Sequence, residues 1–288
     1  MTTQTRRITE QPLNLVLRPD SPAEAAFKSA VLAPGFEPAP GLALEYLGGR
    51  TLARLAYRLV YLGRWQAAER RDLDRALAGA MVDPGLNEIL AQYFPDAPVT
   101  ATVKASSVHR GALPRRADKQ FVEALVSQIA DAGDDGATIC VLLPRGAVLV
   151  ERKDVTSENG LGGFHGSVHL RGTTVYYAVA VYSEGSNGIV AFDAPWKNVC
   201  ATLYHELQEV RTDPDVEDAI RAGRAPAATR MLGWYSPHGG EIGDIPIAES
   251  HGDVRLAMRE VRLADGSTAP VQLMWSNRVG GPEAPATS

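Results

Sequence analysis

Two periodicities divide the chain. Gln66–Met81 places Leu73, Ala76, Leu77 and Ala80 at spacings of three and four, with Arg and Asp on the opposite side, which predicts an amphipathic helix. Asp118–Ala132 repeats the pattern with Phe121, Leu125, Val126 and Ile129, and Asn87–Phe94 adds a further helical turn or two. A third helix is predicted over Asn198–Arg211. Strands are predicted where apolar runs are short and β-branched. Thr138–Leu143 reads as a buried central strand ended by Pro144, and the second half of Leu52–Leu62 as another. In Thr173–Tyr182, Val175, Tyr177, Val179 and Val181 recur at period two and share a face. Val261–Gly266 carries a hairpin-like signal ahead of a strand at Val271–Trp275.

This order of elements predicts an α/β fold, a mixed sheet with packed helices. Residues 1–50, rich in Pro and Gly and without periodicity, are expected to form an irregular amino-terminal arm. Residues 51–279 are expected to form a single domain, and 280–288 a disordered tail.

Composition narrows the partners. A formal net charge of -5 gives no general attraction to nucleic acid or anionic lipid. The longest apolar runs fall far short of the roughly 20 residues that a membrane helix requires. Polar and acidic residues follow Arg6-Arg7 where a signal peptide would carry its apolar run, so a cytoplasmic location is expected. Cys140 lies in a strand-like run and Cys200 at a helix start, so both are read as buried thiols rather than a disulfide.

The chemistry concentrates in His205-Glu206-Leu207-Gln208-Glu209. Residues four apart stack on one helix face, so His205 and Glu209 can aim a nitrogen and a carboxylate at one metal ion. Glu206 stands where His-Glu-x-x-His metalloproteases carry the general base, with Glu209 replacing their second His. Zinc accepts such a mixture, and the added carboxylate also admits manganese or calcium. A third ligand is sought at Asp215, ten residues after His205, or at Glu241 or Asp244 in a glycine-rich loop. Gly162–His169 places His165, Ser167 and His169 on one face if extended, and His165 is the candidate for a second ligand or a proton-transfer group. The competing reading makes Glu206 a solvated surface residue, pairs Glu209 with Arg211 or Arg230, and folds Gly162–His169 as a tight turn.

Five motifs recur in order: Tyr61-Leu62-Gly63-Arg64-Trp65, Gly163-Phe164-His165-Gly166, His205–Pro214, Gly233-Trp234-Tyr235 and Gly240-Glu241-Ile242-Gly243-Asp244. Together, over about Leu55 to Ile245, they resemble the EXORDIUM or phosphate-induced protein family, and more closely its microbial relatives that keep a His-Glu-x-x-Glu helix followed by Thr-Asp-Pro. The resemblance implies a zincin-type α/β domain with the His-Glu segment as its active-site helix. Plant members lack the His-Glu pair and are known as cell-wall growth proteins. This chain departs from the secreted norm at Ile245-Pro246, where a Cys commonly follows the Gly-Glu-Ile-Gly-Asp motif. The combined expectation is a zinc-dependent, peptidase-like hydrolase acting on a peptide or other small polar substrate. The alternative is a non-catalytic domain whose acidic cluster holds a structural ion beside a binding groove.

Overall fold

Tyr57, Leu59 and Tyr61 alternate with Val60 and Leu62 along one strand, and the two sets enter different cores. That strand, β1 (Arg54–Leu62), is the centre of a six-stranded mixed sheet in a computed structural model that describes residues 30–170, 172–223 and 226–285. β1 runs parallel to β2 (Thr100–Val103) and β3 (Ser107–His109) on one flank and to β4 (Thr138–Leu142) on the other. Beyond β4 lies β6 (Thr173–Ala180), also parallel, and then β5 (Gly163–Leu170), which pairs antiparallel with β6 and forms the edge.

Both sheet faces are covered, so the central strands are apolar on both sides. One face packs under α1 (Ala67–Val82), α2 (Pro84–Ala91), α4 (Pro195–Thr212) and the hairpin of β7 (Met258–Arg262) and β8 (Thr268–Gln272). The other face packs under α3 (Lys119–Ile129), whose Val122, Leu125 and Val126 meet Val175, Tyr177, Val179 and Val181 of the β6 segment. Helix starts follow capping rules. The Asp118 carboxylate accepts from the Phe121 amide, and Asp83 accepts from that of Leu86. Asp83-Pro84-Gly85 therefore ends α1 and also starts α2, with Pro84 at the first helical position, so α2 begins earlier than Asn87.

Residues 31–46 and 281–284 are more ordered than their composition predicts. Gly281–Ala284 is a strand between Val31–Leu32 and Trp275–Ser276, where the buried Glu283 accepts hydrogen bonds from Ser276 and Arg278. The disordered tail expected from residue 280 is corrected over these residues. Within the irregular arm, Glu45–Tyr46 pairs with Trp234–Tyr235. The amino-terminal reading at Arg6-Arg7 lies outside the described residues. Among the described residues no helix is long and apolar enough to cross a membrane. Cys140 and Cys200 are free and buried, and burial pushes both thiols up.

α4 positions the site. Pro195 opens it, and Asn198 ties its first turn to the preceding loop by accepting from the Ala191 and Phe192 amides. Leu203, Leu207 and Val210 face the core. Thr202, His205, Glu206 and Glu209, at spacings of three and four, form a second stripe.

Candidate metal centre

The polar stripe of α4 faces the start of β5 and the Gly240–Asp244 loop. Two ligand-like triads result, His205–Glu209–Asp244 and His165–Glu209–Glu241, in each of which the nitrogen and oxygen atoms lie within 4.8 Å of one another. Glu209 belongs to both. Its Oε2 stands 3.0 Å from His205 Nε2 and 3.5 Å from His165 Nδ1, and its Oε1 accepts from the Gly243 amide at 3.2 Å. Glu206 lies between the histidines, with Oε1 3.9 Å from His205 Nε2 and Oε2 3.5 Å from His165 Nδ1. Glu241 Oε1 is 3.6 Å from His165 Nε2, and Asp244 Oδ1 is 3.8 Å from His205 Nε2.

Each imidazole is oriented by its outer nitrogen. His205 Nδ1–H donates to Gln272 Oε1 at 2.8 Å, and Gln272 is fixed in that sense because its Nε2 donates to the Gly243 carbonyl at 2.6 Å. His165 Nε2–H donates to the Asp213 carbonyl at 3.2 Å. The inner nitrogens are thereby left as lone pairs facing carboxylate oxygens, an arrangement that requires a proton or a cation between them. Close approach also demands two glycines. A Cβ on Gly243 would stand 2.5 Å from His205 Nδ1, and one on Gly163 would stand 2.3 Å from the Val179 carbonyl and 2.8 Å from Glu206 Oε1.

Electrostatics point the same way. Among the described residues, Glu206, Glu209, Glu241 and Asp244 have no Lys or Arg partner; their ion-pair nitrogens belong to the two histidines. Glu206 Oε2 and Glu241 Oε1 are buried without a hydrogen bond. Burial raises the Glu206 carboxyl, and burial and then the Glu209 charge raise Glu241 well above the usual carboxylate range. The Glu209 charge pushes Asp244, which is exposed to the groove, up to about 6. Burial favours protonation of Glu209, but His205 and His165 outweigh it and hold that carboxyl down at about 2. Burial likewise opposes the charged form of both imidazoles, yet Glu241 with Glu206 and Glu209 around His165, and Glu209 with Glu206 around His205, raise both well above the ordinary value. Buried anions that compete for protons are a donor set that a divalent cation fits.

The two triads differ in access. His205, Glu206 and Asp244 line a groove of about 400 Å³, walled by Leu161, Ile189, Ile247 and Met258. His165, Glu209 and Glu241 lie behind it and are buried.

The structure thus gathers six of the seven sequence candidates: His165, His205, Glu206, Glu209, Glu241 and Asp244. Asp215 is the correction. Asp213-Pro214 ends α4, and Asp215 is carried to Arg50, 3.7 Å away, and to the Tyr176 hydroxyl at 3.5 Å. From Gly163 the Gly162–His169 segment is strand rather than a tight turn, and farther along β5 both Ser167 Oγ and His169 Nε2 donate to Asp218. Glu206 is buried rather than solvated. Arg211, two residues beyond Glu209, turns to the opposite side of α4 and donates to the Ala53 carbonyl. Asp213, the alternative to Asp215 in a closed structural site, reaches the cluster through its backbone carbonyl, which accepts from His165. Gln272 was not a candidate and lies in a strand with no local signal. Compared with known proteins, the chain matches no protein-family profile, no curated protein and no solved structure.

Proposed function

We propose that the protein is a metal-dependent, peptidase-like hydrolase built on a zincin-like helix, with the ion held by His205, Glu209 and Asp244. The observation that carries this reading is the inward His205 Nε2. Gln272 holds its lone pair toward Glu209, at the floor of a groove that Glu206 and Asp244 also line. One nitrogen and two carboxylates suit zinc first, with manganese or calcium as oxygen-tolerant competitors. A bound divalent ion supplies Lewis acidity, polarising a carbonyl and making a water acidic near neutral pH. Glu206 is the general base. Its carboxylate lines the groove beside the triad, and burial raises its proton affinity toward the range in which it both takes and returns a proton. The apolar walls receive a side chain, and edge strand β5 offers backbone groups at Gly163 for pairing with an extended peptide.

The test is metal content by mass spectrometry on tag-free protein, beside His205→Ala and Glu206→Gln, with hydrolysis of a mixed peptide library. Wild type should carry metal and cleave, His205→Ala should lose both, and Glu206→Gln should keep the metal while its turnover falls about 100-fold or more. Turnover preserved in Glu206→Gln would remove the proposed base.

A second reading rests on the buried triad. An ion held by His165, Glu209 and Glu241 would be shielded from the groove, as structural ions are, and the protein would then be a binding domain. Full metal content in His205→Ala, lost in Glu241→Gln, would favour it.

A further inference from the structure

The parallel strands contain a reversal of winding. From β1 the chain passes through α1 and α2 to β2 and β3 on one flank, then returns through α3 to β4 on the opposite flank. Connections that leave adjacent strands in opposite directions open a crevice at their carboxyl ends, where open α/β sheets hold ligands. In this chain the crevice lies beyond Leu62 and Leu142. Two adjoining cavities of about 620 Å³ each occupy that edge and meet at Arg64 and Trp65, directly after β1.

The two lobes differ in chemistry. One is lined by Arg64, Arg70 and Arg110, with no acidic residue among its walls. Among the described residues none of these three arginines forms an ion pair, in a chain whose net charge is -5. Guanidinium groups gathered without a counter-charge repel one another, and their planar forks match phosphate oxygens. The other lobe is lined by Trp65, Pro144 and Tyr182, with Gln66 and Glu69 supplying polar groups at the start of α1. Trp65 and Tyr182 stand edge to face at 5.0 Å. Arg145, also in this lobe, is already engaged by Glu184 at 3.0 Å and the Tyr182 hydroxyl at 3.2 Å, so the charge available to a ligand is in the arginine lobe. Trp65 Nε1 and Arg70 Nε are buried donors without partners. The crevice therefore has a polarity, with an anion subsite at one end and flat walls bearing hydroxyl-binding groups at the other.

We propose that this crevice binds a small organic phosphate with a planar, hydroxyl-bearing body, of the nucleoside monophosphate class. No residue lining either lobe lines the groove at the metal centre, so the site is a separate one.

Isothermal titration of the full chain with adenosine monophosphate and with inorganic phosphate tests it. Adenosine monophosphate should bind saturably at one site per chain, at least tenfold tighter than inorganic phosphate. Arg64→Glu and Arg110→Glu should each weaken it at least tenfold, and His205→Ala should leave it unchanged. Both arginines are exposed, and Arg64→Gln gives the same readout should charge reversal disturb folding. Absence of saturable binding, equal affinity for the two probes, or indifference to the arginine variants would overturn the proposal. So would loss of binding in His205→Ala, which would put the ligand at the metal centre instead.

Discussion

Gln272 shows how a residue outside the two triads can set which nitrogen a histidine presents to them. Its amide is held by the Gly243 carbonyl, and it holds His205 Nδ1 in turn, so the nitrogen aimed at Glu209 is the one free to take a metal ion or, without one, a proton. Removing such an outer partner typically costs about 10–100-fold in metal affinity. Gln272→Leu should therefore weaken metal binding by about that factor in a chelator-competition titration while the helical circular dichroism stays unchanged. His205, Glu206 and Glu209 were legible in the sequence because one helix turn sets their geometry. Gln272, 67 residues from His205, had no local signature, since only the packing of β8 against α4 brings the two together. Asp215 failed as a candidate for a related reason. Counting residues past a proline assumes that the chain keeps its direction, and Pro214 changes it.

Among the elements, β1 and the turn before β4 are joined by a buried ion pair. Arg58 donates from Nε and Nη2 to Asp134, whose side chain is 2% exposed, and Lys104 approaches at 3.3 Å. Burial alone would raise the Asp134 carboxyl, but hydrogen bonds from Arg58 and the Asp131 amide outweigh it and hold it below the usual value. Asp134→Ala strands the Arg58 guanidinium and should cost about 3 kcal/mol in chemical denaturation. A carboxyl depressed in the folded chain contributes stability above its unfolded pKa, and that contribution is lost as pH falls through the folded value. The wild-type advantage over Asp134→Ala should accordingly shrink in acid and be full at neutral pH. The sheet's central strands were legible from β-branched runs, and the helices from their three-four spacing. The short strands at Val31–Leu32 and Gly281–Ala284 were not, because two to four residues carry no periodicity and are ordered by their partners.

For the whole molecule, the candidate metal centre concentrates negative charge inside the fold. Without metal it is relieved by protons. Asp244 is pushed up to about 6, chiefly by Glu209, and Asp213 to about 7, chiefly by burial, while both histidines hold protons well above their ordinary value despite burial. A raised pKa in the folded state means stability that is present at lower pH and lost as pH rises through the folded value. Chelated protein should thus melt at progressively lower temperature between about pH 5 and pH 8, and metal-loaded protein should melt higher at the alkaline end of that range. Parallel melts with and without chelator check this. A chelated protein whose melting temperature rises with pH would show that these groups do not carry their protons in the fold.

The strand Gly281–Ala284 joins two segments that are distant in the chain, Val31–Leu32 and Trp275–Ser276. During synthesis both segments are made before the strand that unites them, and Val31–Leu32 waits about 250 residues for its partner. The fully buried Trp275 ring lies in this part of the fold, so its final packing waits on a strand made after it. Closure of this part of the fold therefore waits on Gly281–Ala284, and until that strand docks the chain offers chaperones an uncovered apolar face.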